Sequence, residues 1–400
     1  MKKFLLTLLT ILMLISLSGC KETKDDEILT NKKVEEIFSR VFDAGSYDSL
    51  DYKYAQEYFA NTYDKWGKGG CTAVAKVNDA GDTIVGRNMD LTICNKAAYV
   101  FRTKVEGCYE TINLAYTFRD ISPDYEDVLN EGISPEFQKV LPFLADDVLN
   151  SEGLYVEVNM RNGETWPTGE TKFGCSGTNN GKGERVYLFS LSRYIGEHCA
   201  NIEEALKYIE TLDIYSMYGN ETSADNYCFM MADATGRYGL LEVACNNLYW
   251  HEGQQGQANF YITEELAKIQ ELKAGVGRYE YVINGVKDVQ TEDEMFNLMN
   301  DVTYYQTYFP DICKFDNRSE FVATLKYWTY DYLMNDVNKD DIEVVVGVMG
   351  EFLNSMTRDE MRDADFFWES VFTEVINCNN KTLHVRFYED DTKQLTLSFN

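Results

Sequence analysis

Histidine is scarce in this chain. Three residues in 400, His198, His251 and His384, stand far apart, with no HExxH pair and no cysteine–histidine ligand spacing, which argues against a zinc site. Basic charge is short too. Against 66 Asp and Glu there are 37 Lys and Arg, a formal net charge of −29; this argues against a nucleic-acid backbone as ligand and against a generally basic membrane-binding face. No internal repeat or low-complexity segment is present, and after the first twenty residues no run is apolar enough to cross a bilayer. What is present suffices for a large core: 44% hydrophobic and 14% aromatic residues, over a length that admits one large domain or two ordinary ones.

The one long apolar run stands at the start. MKKFLLTLLTILMLISLSGC opens on Lys2 and Lys3, continues apolar from Phe4 to Leu17, and ends on Leu-Ser-Gly-Cys. That order predicts an export signal over residues 1–20, to be set apart from the fold. An ordinary signal peptide or a membrane-spanning helix is the alternative, and the run is short for a span. The ending resembles the lipobox of bacterial lipoproteins, which implies cleavage before Cys20, a lipid on its thiol, and a membrane-anchored protein facing the extracytoplasmic side. Ten cysteines in an exported chain would ordinarily suggest disulfides. Apart from Cys20 and Cys71, the remaining Cys94, Cys108, Cys175, Cys199, Cys228, Cys245, Cys313 and Cys378 show no CxxC and no repeating interval, so bridges and buried thiols both stay open.

KETKDDE after Cys20 reads as a charged spacer, and Val34, Ile37, Phe38, Val41 and Phe42 fall on one face at helical spacing. Tyr52 to Trp66 predicts a second helix, so residues 21–70 read as spacer and helical segment ahead of a domain over 71–400. From Cys71 the texture changes to strands. CTAVAKVN and DTIVGRNMD flank a turn at Asn78 to Gly81, and AAYVFRTKV, YETINLAYT and GLYVEVNM follow. YLFSLSRYIGEHC and NIEEALKYIETL predict two successive helices, the second capped by Asn201. NYCFMMAD and RYGLLEVAC form a hairpin around ATG, and ESVFTEVIN and TLHVRFYEDDTKQLTLSF close the chain as strands. Runs of strands alternating with runs of helices predict a layered α+β fold with antiparallel sheets.

One stretch, GKGGCTAVAKVNDAGDTIVGRNMD from Gly67 to Asp90, sets a single cysteine between a glycine-rich approach and a strand. A lone cysteine at a strand start is ordinarily core. Here two strands joined by a turn bring Cys71, Arg87 and Asp90 near one another. Cys-Thr opening the first strand, with Gly-Arg-Asn-Met-Asp in the second, resembles the start of the mature chain in the choloylglycine hydrolase family. These N-terminal nucleophile hydrolases include bile salt hydrolases and penicillin V acylases, with acid ceramidase-like amidases as relatives. The resemblance implies a four-layer α/β/β/α sandwich, cleavage between Gly70 and Cys71, and hydrolysis of a linear carbon–nitrogen amide bond in an N-acyl amide, without metal or cofactor.

In that reading Cys71 is the nucleophile and its freed α-amine, with an unperturbed pKa of about 7.7–8.0, is the base. Arg87 stabilises the thiolate, Asp90 orients the amine, and the glycines at 67, 69 and 70 let the backbone reach the conformation needed for cleavage. GLYVEVNM is similar to the family strand that supplies a substrate-facing asparagine, which makes Asn159 that residue; otherwise Asn159 is a solvent-facing strand residue. ANFYITEELAK and GVGRYEYV resemble the stretch with the oxyanion-hole asparagine and a later active-site arginine, here Asn259 and Arg278, although Ala258 departs from the family's Thr-Asn. The alternatives are a turn residue for Asn259 and an ion pair with a neighbouring carboxylate for Arg278. MMADATGRYGLLEVA and WESVFTEVIN are similar to a hairpin and a closing strand of the family.

Other constellations take plainer readings. Asn179 and Asn180 in GTNN, with Arg193, imitate the family's later asparagine and arginine but precede the helix pair, and read as loop and helix surface. Asp336, Asn338 and Asp340 begin like a calcium loop, yet Asp341 occupies position six and Gly347 position twelve. Tyr304, Tyr305, Tyr308, Phe309, Tyr327, Trp328, Tyr330 and Tyr332 read as core packing, with an acyl pocket as the alternative. Two other classes stay in view, a non-catalytic lipoprotein binding an acyl or steroid ligand and an acyltransferase, and a homo-oligomer is left open.

Overall fold

Alternation of inward and outward side chains organises the first two strands of the domain. In β2 (Gly70–Val77) and β3 (Thr83–Thr92), Cys71, Ala73, Ala75, Val85 and Met89 enter one apolar layer, while Val74 and Ile84 enter another on the opposite side. The turn between them is held by Asn78, whose Oδ1 accepts from the backbone N–H of Ala80 at 3.0 Å and of Asp82 at 2.8 Å. The protein is seen in a computed structural model that describes residues 40–62, 70–92, 97–116, 123–160, 177–178, 180–215, 227–244, 246–269, 275–302, 368–387 and 393–399.

The other strands are β1 (Val41–Tyr47), β4 (Ala98–Thr103), β5 (Thr111–Tyr116), β6 (Asp147–Asn150), β7 (Tyr155–Met160), β8 (Glu184–Tyr187), β9 (Leu212–Tyr215), β10 (Tyr227–Ala232), β11 (Tyr238–Ala244), β12 (Asn247–Glu252), β13 (Gly256–Gln257), β14 (Trp368–Asn377), β15 (Thr382–Phe387) and β16 (Leu395–Ser398). Eight of them form one sheet in the order β1-β4-β5-β6-β7-β10-β11-β12, and six form a second in the order β13-β2-β3-β14-β15-β16. Every pair in these two sheets is antiparallel except β1 with β4. The helices are α1 (Tyr52–Thr62), α2 (Tyr125–Glu131), α3 (Pro135–Val140), α4 (Leu191–His198), α5 (Ile202–Ile209), α6 (Glu264–Ile269), α7 (Val276–Gly285) and α8 (Glu292–Asn300).

Three apolar clusters define the layers. The middle one takes Ala73, Val85 and Phe372 from the six-stranded sheet and Leu114, Tyr155 and Met230 from the eight-stranded one, so the sheets face each other. A second packs Phe59, Phe137, Ile195 and Ile202 of the helices on Tyr99, Val156 and Phe229, on the other face of the larger sheet. The third packs Val282, Met295 and Met299 of α7 and α8 on Val74, Ile84 and Val375. The result is the α/β/β/α sandwich that the resemblance implies. Asn201 caps α5 by accepting from the Glu204 N–H at 3.0 Å, and Thr291 with Glu294 forms a capping box at α8.

Two readings of the sequence need correction. Val41 and Phe42 are not the end of a helix: they lie in β1, which pairs with β4 and sends Val41 between the sheets and Phe42 to the helical side. Pairing with an existing edge overrides the helical spacing of a short apolar segment. Arg193 is not helix surface either. It is fully buried on α4, ion-paired with Glu197 one turn later, and its guanidinium lies 5.1 Å from the Phe143 ring centroid. Glu197 also accepts from Thr103 Oγ1 at 3.1 Å and from Tyr52 Oη at 3.2 Å, so a buried ion pair occupies a position that spacing assigns to solvent.

The export signal with Cys20, the apolar positions Val34, Ile37 and Phe38, the calcium-like loop, Asn179 and the aromatic residues between 304 and 332 lie outside the described residues. So do Cys94, Cys175, Cys245 and Cys313; among the described residues Cys108, Cys199 and Cys378 are free thiols.

Gly86 in the Gly-Arg-Asn-Met-Asp motif shows how closely α8 approaches β3. A Cβ there would stand 2.6 Å from Met299 Cγ and 2.7 Å from Met295 Cγ. Gly86→Ala is expected to cost about 1–3 kcal/mol by overpacking. Measured by urea unfolding, Gly86→Ala combined with Met299→Ala should cost less than the sum of the two single changes; strict additivity would place the clash elsewhere.

Candidate active site

The five residues from Gly86 to Asp90 serve both faces of β3. Arg87 and Met89 point into the seam between the sheets beside Cys71, which pairs with Met89 across the ladder and lies with its Sγ 3.5 Å from Met89 Sδ. Asn88 points the other way. Its Nδ2 donates to the Met299 carbonyl at 2.8 Å and its Oδ1 accepts from Thr373 Oγ1 at 2.8 Å, which ties α8 to the sheet and makes Asn88 a scaffold residue.

Arg87 reaches from the smaller sheet to the larger. Its Nη1 meets Asp147 Oδ2 at 2.5 Å, its Nε meets Glu157 Oε2 at 2.7 Å, and its Nη2 donates to the Val158 carbonyl at 3.0 Å and to Cys71 Sγ at 3.4 Å. All these groups are buried. Two carboxylates on neighbouring strands β6 and β7 compensate a guanidinium that could not be buried alone.

A second chain of contacts closes on the same cysteine. Asn159 Nδ2 donates to the Cys71 carbonyl at 3.1 Å, Asn259 Nδ2 donates to Asn159 Oδ1 at 3.0 Å, and Arg278 Nη2 donates to Asn259 Oδ1 at 2.9 Å. Arg278 Nη1 pairs with Asp90, which also accepts from Ser370 Oγ. Asp90 stands opposite Gly70 in the ladder, beside the Gly70–Cys71 peptide. Gly275 makes the last approach feasible. It caps α7 at φ 83°, and a Cβ there would lie 2.6 Å from Ala258 Cβ and 2.8 Å from Arg278 Nη2.

The structure therefore brings Cys71, Arg87, Asp90, Asn159, Asn259 and Arg278 into one connected cluster. Asn159 and Asn259 are buried rather than solvent-facing, and the ion pair that spacing left open for Arg278 exists, with Asp90 as its partner. Sequence reading missed Asp147, Tyr155, Glu157, Ser370 and Glu374. The signal was there in part: Glu157 in YVEVN and Glu374 in FTEVIN are acids inside otherwise apolar alternating strands, which requires a buried partner.

Burial pushes the Cys71 thiol up, opposed by the positive charge of Arg87 and by a hydrogen bond from the Asp90 backbone, while Glu157 and Asp90 add to the rise. The chain thus holds a neutral thiol at neutral pH. Burial also pushes the Asp90 carboxyl up to about 6, with Arg278, Ser370 and Arg87 pulling it down.

The family of acyl-coenzyme A:6-aminopenicillanic acid acyl-transferase matches this chain over residues 146–336. The matched stretch holds Asn159, Asn259 and Arg278 together with Asp147 and Glu157, and Cys71, Arg87 and Asp90 precede it. No curated protein sequence is significantly similar to the chain. Among solved structures it is similar to a variant of conjugated bile acid hydrolase from Clostridium perfringens, at 12% identity and a TM-score of 0.42, covering 82% of this chain and 92% of that one. Penicillin V acylase from Agrobacterium tumefaciens aligns at 11% identity and a TM-score of 0.39, over 80% of this chain and 83% of that one.

The raised Asp90 value has a direct consequence for stability. The fold favours the protonated carboxyl, so this contribution is complete below the ordinary Asp value of about 3.9 and is lost as pH rises through about 6. Asp90→Asn cannot ionise, and the constant cost of its altered contact to Arg278 cancels when the pair is compared at two pH values. Between pH 4 and pH 7.5 the stability difference should move in favour of Asp90→Asn by on the order of 2–3 kcal/mol, read from urea unfolding at each pH. A pH-independent difference would mean that Asp90 is ionised in the fold throughout.

Proposed function

We propose that this protein hydrolyses linear carbon–nitrogen amide bonds of N-acyl substrates, with Cys71 as an N-terminal nucleophile exposed by cleavage between Gly70 and Cys71. The observation that carries this reading is the closed set of contacts Cys71–Asn159–Asn259–Arg278–Asp90, with Arg87 on the thiol. In maturation Sγ attacks the Gly70 carbonyl carbon, the bond to the Cys71 nitrogen breaks, and that nitrogen takes the thiol proton. Water then releases the thioester as the Gly70 carboxylate and regenerates the thiol. In turnover the freed α-amine accepts the Cys71 proton as sulfur attacks the substrate carbonyl, and passes it to the leaving nitrogen; water releases the acyl group from cysteine.

Asp90 holds the α-amine in this reading, which its position opposite Gly70 supports. The amide N–H groups of Asn159 and Asn259 are the donors for the oxyanion. Conjugated bile salts, penicillin V, N-acyl amino acids and fatty acid amides all suit this chemistry, and pocket shape selects among them. Acyl transfer to an amine is the second reading, supported by the name of the matching family. Turnover of those four substrate classes, with and without a competing amine, separates hydrolysis from transfer. Cys71→Ala is expected to stay folded, remain uncut by intact mass and lose activity by at least three orders of magnitude; full activity in that variant would end the assignment.

Export with a lipid on Cys20 completes the proposal, and the upstream segment is its link to the membrane. Support comes from the packing of residues 41–62: Val41, Phe42 and Phe59 are buried in the two large clusters, at roughly 1.5–3 kcal/mol each, and Tyr52 binds the buried Glu197. After cleavage the segment should therefore stay bound, and gel filtration of the cut protein is expected to give one peak containing both pieces. Separation of residues 21–70 from the catalytic piece would refute retention and leave the nucleophile assignment standing.

A further inference from the structure

The end of Arg87 remote from Cys71 enters a group of buried oxygens that the amidase reading does not use. Asp147 on β6, Tyr155 on β7 and Glu374 on β14 converge there, and Glu374 stands opposite Arg87 in the ladder between β3 and β14. Tyr155 Oη lies 2.9 Å from Asp147 Oδ1 and makes a second, short hydrogen bond with Glu374 Oε1. All four side chains are fully buried. The surrounding charged and titratable groups are Cys71 on β2, Arg87 on β3, Asp146 beside Asp147, and Glu157 on β7.

A proton count follows from this geometry. A tyrosine hydroxyl has one hydrogen, and here it contacts two carboxyl groups. It can donate to one of them, so the other must donate to it, and that needs a carboxyl proton. We infer that Asp147 and Glu374 form a proton-sharing carboxyl pair, bridged by Tyr155, that keeps one proton at neutral pH and positions Arg87 on the Cys71 thiol. The electrostatics agree. Burial and the neighbouring Asp147 charge push Glu374 well above the usual carboxylate range; burial raises Asp147 too, but Arg87 and its hydrogen bond with Glu374 hold it to about 6. The retained proton therefore resides mainly on Glu374, and Asp147 carries the charge that faces Arg87.

These residues touch neither sulfur nor substrate, so they are positioning residues. Their bearing on catalysis rests on the amidase reading; the proton count does not. Glu374→Gln is the neutral isostere, whose amide can donate to Tyr155 in place of the carboxyl proton while Tyr155 donates to Asp147. Because Glu374 is raised in the fold, its contribution to stability is complete below the unfolded value and is lost as pH rises toward the folded one. Between pH 6 and 7 the unfolding equilibrium constant of the parent protein, relative to that of Glu374→Gln, should rise about tenfold. Identical pH dependence would overturn the shared proton.

A measurement on the unaltered protein guards against a variant that fails to fold. With Glu carboxyl groups labelled with carbon-13, the infrared carbonyl stretch of a protonated carboxyl should be present at pH 7.5 and should shift with the label. Its absence would also overturn the proposal. For positioning, the rate of Cys71 alkylation by iodoacetamide is expected to fall at least tenfold in Tyr155→Phe and in Glu374→Leu, and to stay within threefold of the parent in Glu374→Gln. Equal rates in the parent and all three variants would show that the pair does not act on the thiol through Arg87.

Discussion

Everything near the cysteine depends on a guanidinium buried between two sheets. Arg87 belongs to the smaller sheet, but its compensating carboxylates, Asp147 and Glu157, belong to the larger one. Removing one partner of such a buried charge typically costs about 3–5 kcal/mol, so the two sheets are bound to one relative placement. Strand register is bound as well. A slip of β3 by one residue would send Arg87 toward α8 and bring Asn88 into the seam, leaving a charge without a partner and two apolar layers disrupted.

The same alternation divides the labour of the site. Inward positions hold the sulfur, Met89 and the guanidinium, in surroundings dry enough to raise a thiol. The end of β3 holds Asp90, where Arg278 from α7 and Ser370 from β14 reach it from two other elements. The two asparagines span the gap between these halves. Asn159 comes from the larger sheet, and Asn259 from the chain just after β13, which pairs with β2 itself. The groups gathered around Cys71 thus arrive from β3, from β7 and from the chain after β13, and only the packed sandwich assembles them.

Much of this was legible beforehand where local pattern decides. The β2–β3 turn, the β10–β11 hairpin and the Asn201 cap can be placed from strand alternation and turn chemistry, and Cys71, Arg87 and Asp90 from one motif, whereas Asn159, Asn259 and Arg278 were named only by the resemblance of their stretches to a known family. Where long-range pairing decides, local pattern misleads. Val41 and Phe42 carry helical spacing, yet β4 offers them an unpaired edge; Arg193 looks like surface, yet Glu197 one turn away lets it be buried. That Asp147, Tyr155 and Glu374 meet was unreadable for the same reason. Tyr155 and Glu374 are separated by 219 positions, and nothing local to either says that they meet.

The irregular strand at the border of the larger sheet has a consequence for solubility. Without β1, the strand β4 would expose a row of free N–H and C=O groups along Ala98–Thr103, a template on which another chain could add itself. β1 covers that row and is itself a poor template. Its register shifts between Asp43 and Gly45, Gly45 adopts φ 81°, and the Asp43 carboxylate accepts from the Gly45 N–H at 2.8 Å, so its outer side is kinked and part of its hydrogen bonding is turned inward on itself. The stretch ahead of Cys71 is therefore also the sheet's guard against aggregation, and a molecule that shed it would be left with a sticky edge as well as a shortened chain.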